Sequence, residues 1–417
     1  MAVIIGNKPY RVLQLNELID NFGENIRLNF GLPNFNNGTK ACIQYLNVHV
    51  SDNLARNNLA CYEAVNCKKY LQVFQETFVK TNYKKIIRQD NNRVRDYNKY
   101  LRDLKCPFTF SRLPTLGSNS IFDCLLKKNV IDSENIFLAN FSLVKYDTHM
   151  YNRNIINNKI HNIMDEFNII KWLHNNNLVD ATLSNLEDTE LPKMDCGVIR
   201  PSVYITNLIL KEYGICVLEN FFNSSEIDEL SKGFEHVFLN NKDMIEKTTK
   251  EECSNDERIF HAEKYSDAIK NLFFGNKFFQ QCSENYSKKT NKKTLINRLT
   301  FEEGKKINSG AGWHRDNHNC QFKAIMYLTD VTEENGNFQY LTNSSKRHIG
   351  YPKPRTPTYN TRFEDETVED IINKNEEIKL HNILGRIGTV ILVDTTYIHR
   401  GNIIRSGCRK AITQYFF

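Results

Sequence analysis

Three side chains in the C-terminal half have the types and spacing to hold a transition metal. They are His314 and Asp316, in Trp313-His314-Arg315-Asp316, and His399, in Tyr397-Ile398-His399-Arg400-Gly401. Side chains at i and i+2 of a strand share a face, so His314 and Asp316 read as two ligands from one strand. His399, read as the end of a second strand, joins them if an antiparallel barrel lays the strands side by side. Two imidazoles and one carboxylate on one side of an ion form the facial triad of non-heme Fe(II) oxygenases, which leaves the opposite positions open. Two other readings use the same residues. His314 and Asp316 can be a polar surface pair with His399 an unrelated loop histidine, since H-x-D recurs by chance. The three can also hold zinc, which would make the site hydrolytic.

Arg409 is the second chemical feature. Arg409, Ala411, Thr413 and Tyr415 alternate along the last apolar run and so share one face of a strand. If that face points inward, a buried guanidinium requires a carboxylate, and a dicarboxylate co-substrate would supply one. The planar fork of arginine suits that pairing better than lysine does. Gln321, Lys323 and Tyr327 fall on one face of an earlier strand and are candidates for a pocket lining, with Lys323 equally able to reach solvent. His318 reads as a pocket or surface residue and Trp313 as packing.

With these residues in order, the C-terminal half resembles the phytanoyl-CoA hydroxylase-like family of Fe(II)/2-oxoglutarate dioxygenases. The resemblance runs from Tyr213-Gly214-Ile215-Cys216-Val217-Leu218-Glu219-Asn220-Phe221-Phe222 through Trp313-His314-Arg315-Asp316. It continues through Phe322 to Val331, Glu334-Asn335-Gly336-Asn337-Phe338, and His399-Arg400-Gly401 to Arg409. It implies that His314, Asp316 and His399 ligate Fe(II) and that Arg409 holds the distal carboxylate of 2-oxoglutarate, whose other end would chelate the iron. O₂ would then convert 2-oxoglutarate to succinate and CO₂ and oxidise an unactivated C–H bond of the substrate. The spacing of Arg409 from His399 and the glycine at Gly401 depart from the family pattern, and Arg405 is the alternative cation.

The N-terminal half carries a different resemblance. Val3-Ile4-Ile5-Gly6-Asn7-Lys8-Pro9 resembles the opening strand and nucleotide loop of a bacterial sialyltransferase family, although Lys8 stands for a glycine and Tyr10 for a serine. Arg27-Leu28-Asn29, Arg112 to Ser118 and Asn135 to Ser142 fall where that family has later strands and its donor-binding segment. This implies that Gly6, Asn7 and Asn29 meet a CMP-sugar, since turn amides after a strand can hold phosphate. It also implies that His161 is a general base on a sugar hydroxyl. His161 can equally be an exposed helical residue.

The elements that must position these groups follow from periodicity. Ala2–Ile5, Asn25–Phe30, Ala41–Leu46 and Asn135–Asn140 read as strands, and Leu13–Phe22, Ile121–Leu126 and Ile160–Leu178 as helices. That alternation predicts a Rossmann-like α/β/α domain with a mainly parallel sheet over 1–182. Residues 183–202 turn acidic and weakly periodic and are expected to be a linker. A helix over Ser202–Tyr213, a strand over Ile215–Leu218 and a helix opening at the N-cap Asn223 follow. From about Leu295 the pattern is mostly β, which predicts for 203–417 a double-stranded β-helix, or jelly roll, with flanking helices.

Composition bounds the rest. The 417 residues predict two or three domains at roughly 100–200 residues each. With 40% hydrophobic and 25% charged residues the chain is globular rather than disordered. Apolar runs are too short for a membrane span, and the N-terminus has neither the basic nor the apolar region of a signal peptide. A net charge of +6 over this length, with basic pairs and no binding motif, gives no nucleic-acid footprint. The eleven cysteines are odd in number and scattered, without C-x-x-C, which fits reduced thiols in the cytoplasm. The expected function is hydroxylation of a small metabolite, a sugar or surface-glycan component, by a domain fused to a glycosyltransferase-like partner that binds a CMP-sugar. The alternatives are a scaffold that has lost chemistry, a protein whose main activity is the N-terminal transferase, and the zinc hydrolase.

Overall fold

The computed structural model describes residues 1–6, 15–28, 43–46, 85–88, 94–112, 115–126, 135–141, 143, 163–187, 189–247, 255–304, 307–308, 312–317, 319–345 and 361–417. The chain forms two compact units: Met1–Glu190 with Val198–Ser202, and Leu191–Gly197 with Val203–Phe417.

The first unit is built on five parallel strands: β1 (Ala2–Ile5), β2 (Glu24–Leu28), β3 (Ile43–Leu46), β4 (Lys85–Arg88) and β5 (Ile136–Ala139), in the order β4-β3-β2-β1-β5. Every residue of β1 and β5 is buried, which is why these segments are continuously apolar rather than alternating. Helices Val94–Asp103, Leu116–Leu125 and Ile163–Asn175 pack Tyr97, Leu101, Phe122, Ile169 and Leu173 with Ile4, Ile26 and Leu138. The described elements establish the parallel sheet but not the full Rossmann-like arrangement. Helix Val94–Asp103 was not among the elements read from periodicity, although Val94, Tyr97, Tyr100 and Leu101 fall on one of its faces and pack on the core.

The expected linker is not a bare tether. Thr182–Asn185 is a buried turn of 3₁₀ helix, and Ser184 Oγ donates to Leu138 O at 2.9 Å. Lys193–Asp195 (β6) joins the sheet of the second unit. Leu183, Leu186, Leu191 and Met194 are buried, and these apolar side chains anchor a segment whose acidic neighbours had suggested exposure.

The second unit has two main sheets. Its strands are β7 (Ile215–Glu219), β8 (Glu246–Lys247), β9 (Asp256–Phe260), β10 (Asn291–Thr300), β11 (Ile307–Asn308), β12 (Phe322–Tyr327), β13 (Phe338–Leu341), β14 (Leu380–Ile383), β15 (Val390–Asp394), β16 (His399–Gly401), β17 (Ile403–Ile404) and β18 (Cys408–Phe416). The larger sheet runs β6-β7-β15-β12-β18-β10-β9-β8; the smaller runs β14-β13-β16, beside a β11-β17 pair. Val217, Tyr327, Ile391 and Val393 of the larger sheet share a core with Phe338, Tyr340 and Ile383 of the smaller one. This mixed-sheet jelly roll is the architecture expected for the C-terminal half.

Local sequence explains the flanks. Asn223 accepts from Glu226 N while Glu226 accepts from Asn223 N, a capping box that starts the helix Ser224–Asn240. Gly214 turns the chain from helix Val203–Tyr213 into β7 at φ +71°, where a Cβ would stand 2.3 Å from Tyr340 Oη. Helix Asp365–Lys374 interrupts the β-rich region and buries only Val368 within its length.

Candidate metal centre

The strand expected to run to His399 breaks instead. After β15, Asp394 Oδ1 accepts from Thr396 N at 2.9 Å and from Thr396 Oγ1 at 2.8 Å, which turns the chain. His399 therefore opens β16 in the smaller sheet rather than ending a strand of the larger one. His314 and Asp316 likewise do not lie on a regular strand. His314 forms a two-way backbone bridge with His399, with N···O distances of 3.0 Å each way, and Asp316 N donates to Thr395 O at 2.9 Å. The bridge still places 314 and 316 on one side, opposite His399.

The three side chains meet. One ligand atom from each of His314, Asp316 and His399 lies within 4.8 Å of the others. Nε2 of His314 is 3.5 Å from Asp316 Oδ1, and Nε2 of His399 is 3.6 Å from Asp316 Oδ2. Each Nδ1 is engaged on backbone: that of His314 by Gly312 O at 2.8 Å, that of His399 by Tyr397 O at 2.9 Å. Donation from Nδ1 sets the tautomer and leaves both Nε2 lone pairs facing the carboxylate, the orientation a metal ligand needs. Two nitrogens and an oxygen on one side of a point suit a divalent iron.

Electrostatics favour that set. Burial alone would raise the Asp316 carboxyl, but the Lys323 ammonium and the two imidazoles outweigh it and hold it well below the usual carboxylate range. Burial, with His314 beside it, pushes the His399 imidazole down to about 3, so it is neutral and able to ligate at ordinary pH. Trp313 packs in a small core with Leu341 and Ile398, and the Arg400 guanidinium lies over its ring at 4.3 Å. Arg400 also donates to Gln339 Oε1 at 2.7 Å, which holds β16 against β13.

A cavity of about 110 Å³ opens beside the triad, with His314, Lys323, Tyr327, His399, Arg409 and Tyr415 on its wall. Arg409, Ala411, Thr413 and Tyr415 all face it, as the alternation of the last strand required. Arg409 is buried; its guanidinium donates to Asn297 Oδ1 at 2.9 Å and to Gly336 O, and Nε has no acceptor among the described residues. A cation held by two neutral acceptors with one N–H unused can still receive a carboxylate. Arg405 is exposed and lies 3.9 Å from Glu334, away from this cavity. Lys323 points inward rather than to solvent, 2.5 Å from Asp316 Oδ2 and 4.2 Å from the centre of the Tyr415 ring. Tyr327 Oη donates to Ile383 O at 2.8 Å and accepts from Phe338 N at 3.1 Å, tying the two sheets together.

Sequence reasoning missed Asn297 and Arg258, which also line the cavity. Asn297 sits on β10 among apolar residues, and a polar residue at a position of buried period was its signal. Arg258 lies on polar β9, where alternation gave no signal.

The N-terminal site residues do not assemble among the described residues. Gly6 has a packing role: its N donates to Ala139 O at 2.7 Å, and a Cβ there would fall 2.4 Å from Asn140 O. Asn7, Asn29 and His161 lie outside the described residues, as does His318. The start of helix Leu116–Leu125, within the expected donor segment, is taken by a protein carboxylate. Glu166 accepts from Thr115 N at 2.8 Å, Thr115 Oγ1 at 2.6 Å and Ser118 Oγ at 2.5 Å. That carboxylate already meets the donors a phosphate would use there.

A jelly roll with a His–Asp–His cluster beside a cavity that ends in a buried arginine defines a class, the Fe(II)/2-oxoglutarate oxygenases. Residues 210–412, just under half of the chain, match the phytanoyl-CoA dioxygenase (PhyH) family, and the protein is an Fe(II)- and 2-oxoglutarate-dependent oxygenase. Among solved structures, the epimerase SnoN in complex with Fe3+, alpha ketoglutarate and nogalamycin RO is 12% identical with a TM-score of 0.43, over 52% of this chain and 83% of that one. EctD from S. alaskensis with bound Fe is 17% identical with a TM-score of 0.40, over 51% and 75%. HygX from Streptomyces hygroscopicus, with nickel, 2-oxoglutarate and hygromycin B bound, is 15% identical with a TM-score of 0.36, over 50% and 84%. No curated protein matches the chain at a significant level. The family domain starts at residue 210 and so leaves the first unit, with its sialyltransferase-like segments, without support from it.

Proposed function

We propose that His314, Asp316 and His399 hold the Fe(II), that Arg409 holds the distal carboxylate of 2-oxoglutarate, and that the site oxidises a C–H bond of a small molecule. The observation that carries this reading is the convergence at one cavity: one nitrogen or oxygen atom from each of His314, Asp316 and His399 lies within 4.8 Å of the others, and both histidines line the same cavity as Arg409. When bound, Fe(II) with 2-oxoglutarate and O₂ supplies oxidation of an unactivated C–H, with succinate and CO₂ leaving. The chain's own residues do the positioning. Gly312 O and Tyr397 O orient the two imidazoles. Asn297 and Gly336 hold the guanidinium, and Tyr327 and Ile325 line the wall between it and the triad side of the cavity.

A zinc hydrolase on the same three ligands would leave the buried Arg409 without a task. The decisive experiment is anaerobic addition of Fe(II) and 2-oxoglutarate: a weak visible charge-transfer band and O₂-dependent succinate formation are expected. Hydrolytic activity that survives iron chelation and zinc replacement would favour the other reading.

For the substrate, a sugar or surface-glycan component is the reading that follows from the N-terminal segments, and a CMP-sugar is the ligand it calls for. Screening sugars and glycans for stimulated 2-oxoglutarate turnover tests the first. Calorimetry with CMP-sugars tests the second, and absence of nucleotide binding would leave the first unit a scaffold. No helix among the described residues is long and apolar enough to cross a membrane. The described cysteines are free thiols, and this supports a reducing, cytoplasmic setting.

A further inference from the structure

Residues 394–397 form a short turn that touches two of the three triad residues through its backbone. Asp316 N donates to Thr395 O at 2.9 Å, and His399 Nδ1 is engaged by Tyr397 O at 2.9 Å. His314 takes its orientation elsewhere, from Gly312 O. A carbonyl aims a ligand only as firmly as the chain that carries it is held, so what fixes this turn also fixes Asp316 and His399.

The Asp394 side chain does the fixing. Its carboxylate is 5% exposed, and no Lys, Arg or His pairs with it among the described residues. Oδ1 faces inward and accepts from Thr396 N and Thr396 Oγ1. Oδ2 faces outward and accepts from Tyr286 Oη at 2.8 Å and from Cys320 Sγ at 3.5 Å. Tyr286 sits in the last turn of helix Lys277–Ser287, and Cys320 stands two residues before β12. Beside them, Thr395 N and Oγ1 both donate to Gln321 O, at 2.9 and 3.0 Å.

The chemistry of the carboxylate explains why this position is an aspartate. Asparagine or serine can form the local turn without burying a charge. A buried carboxylate facing only neutral donors is costly, and a turn alone does not require it. An ionised carboxylate accepts on both oxygens and donates on neither, so it can hold Thr396 on one side and Tyr286 with Cys320 on the other. Burial, with the Asp394 charge beside them, pushes the Tyr286 phenol and the Cys320 thiol up, so both keep the proton they donate.

We propose that Asp394, held by Tyr286 and Cys320, is a positioning residue of the metal centre: it fixes the carbonyls of Thr395 and Tyr397 and through them orients Asp316 and His399. The proposal rests on the reading of the triad as the metal site. It adds to that site a carboxylate, a phenol and a thiol, none of which lines the cavity.

The test titrates Co(II) alone into the full chain and reads its affinity and visible ligand-field bands, with urea unfolding of the metal-free protein alongside. Asp394→Ala is expected to weaken Co(II) by about 10–100-fold, the scale for losing a group that orients metal ligands, and to shift the bands. Tyr286→Phe leaves the bonds to Thr396 in place and is expected to shift the bands with a smaller loss of affinity. Asp394→Asn keeps the acceptor for Thr396 and is expected to recover part of the loss. Tyr97→Phe is the control: in the first unit it removes a bond of the same kind, Tyr97 Oη to Asp123 Oδ1 at 2.8 Å, and should leave affinity and bands as in the wild type. If Asp394→Ala does not fold, Tyr286→Phe and Asp394→Asn decide the question. Wild-type affinity and bands in the folded Asp394 and Tyr286 variants would overturn the proposal, and so would a loss that Tyr97→Phe shares in step with its urea stability. A wild-type chain that takes up no Co(II) would overturn the reading of the triad itself, and the proposal with it.

Discussion

Replacing Arg409 by methionine keeps an unbranched apolar stem and removes the cation. Arg409 is 6% exposed, and its fork is already aligned by Asn297 Oδ1 at 2.9 Å and by Gly336 O. A charge-assisted hydrogen bond is worth about 1.5–3 kcal/mol. Losing one to two such bonds to the distal carboxylate amounts to about 3 kcal/mol, or roughly 100-fold in 2-oxoglutarate affinity at about 1.4 kcal/mol per decade. Folding changes less. Asn297 Oδ1 and Gly336 O lose a donor at about 1–3 kcal/mol each, and this is offset in part because a guanidinium, whose charge burial holds below its usual basicity, no longer has to be buried. Titrating 2-oxoglutarate into the anaerobic Fe(II) protein and following the visible band gives the affinity; urea unfolding of the same variant gives the stability. Arg405→Ala is the control, because that side chain is 55% exposed and lies 3.9 Å from the carboxylate of Glu334 rather than on the cavity wall. If Arg409→Met binds 2-oxoglutarate within threefold of the wild type, or if Arg405→Ala carries the loss, the assignment of the anchoring cation is wrong.

His314→Ala should abolish the Fe(II)/2-oxoglutarate band while far-ultraviolet circular dichroism stays native; a retained band would show that the ion sits elsewhere. Tyr327→Phe leaves Ile383 O without its donor and Phe338 N without its acceptor, so a loss of about 1–3 kcal/mol is expected in urea unfolding. Gly214→Ala places a methyl 2.3 Å from Tyr340 Oη at a φ of +71°, and a fall in the thermal midpoint well beyond that of a surface alanine substitution is expected. With a chelator present, acid should destabilise the fold in two stages. The His399 imidazole is held down to about 3, so between pH 6.5 and 3 the unfolded chain binds a proton that the folded chain does not, and stability falls as pH falls. Asp316, also depressed, adds its loss only below its ordinary value of 3.8. His399→Gln should flatten the first stage, and an unchanged slope between pH 6 and 4 would contradict the depressed imidazole.

Much of the second unit could be read from local pattern. The alternation of Arg409, Ala411, Thr413 and Tyr415 identified a strand face that does line the cavity. The burial of Lys323 could not be read, because a long amphipathic side chain on a half-buried strand can go either way until its neighbours are known. The break between β15 and β16 was hidden by a continuously apolar run; it depends on the Asp394 carboxylate capturing Thr396. In the first unit, the segment resembling a donor site has its helix start filled by Glu166, a residue 51 positions from Thr115 in sequence.

The sequence by itself determined the types of side chain available and the faces they occupy: two imidazoles and a carboxylate, a guanidinium on an alternating strand, and the apolar periods that make a jelly roll. Those are properties of near neighbours, governed by a strand period of two. Tertiary structure alone decided that His399 crosses into the smaller sheet to meet His314 through a backbone bridge, that Lys323 turns toward Asp316, and that Asn297 and Gly336 cradle Arg409. Each of these joins residues far apart in the chain, and each depends on charges and unpaired polar groups having to find partners once water is excluded.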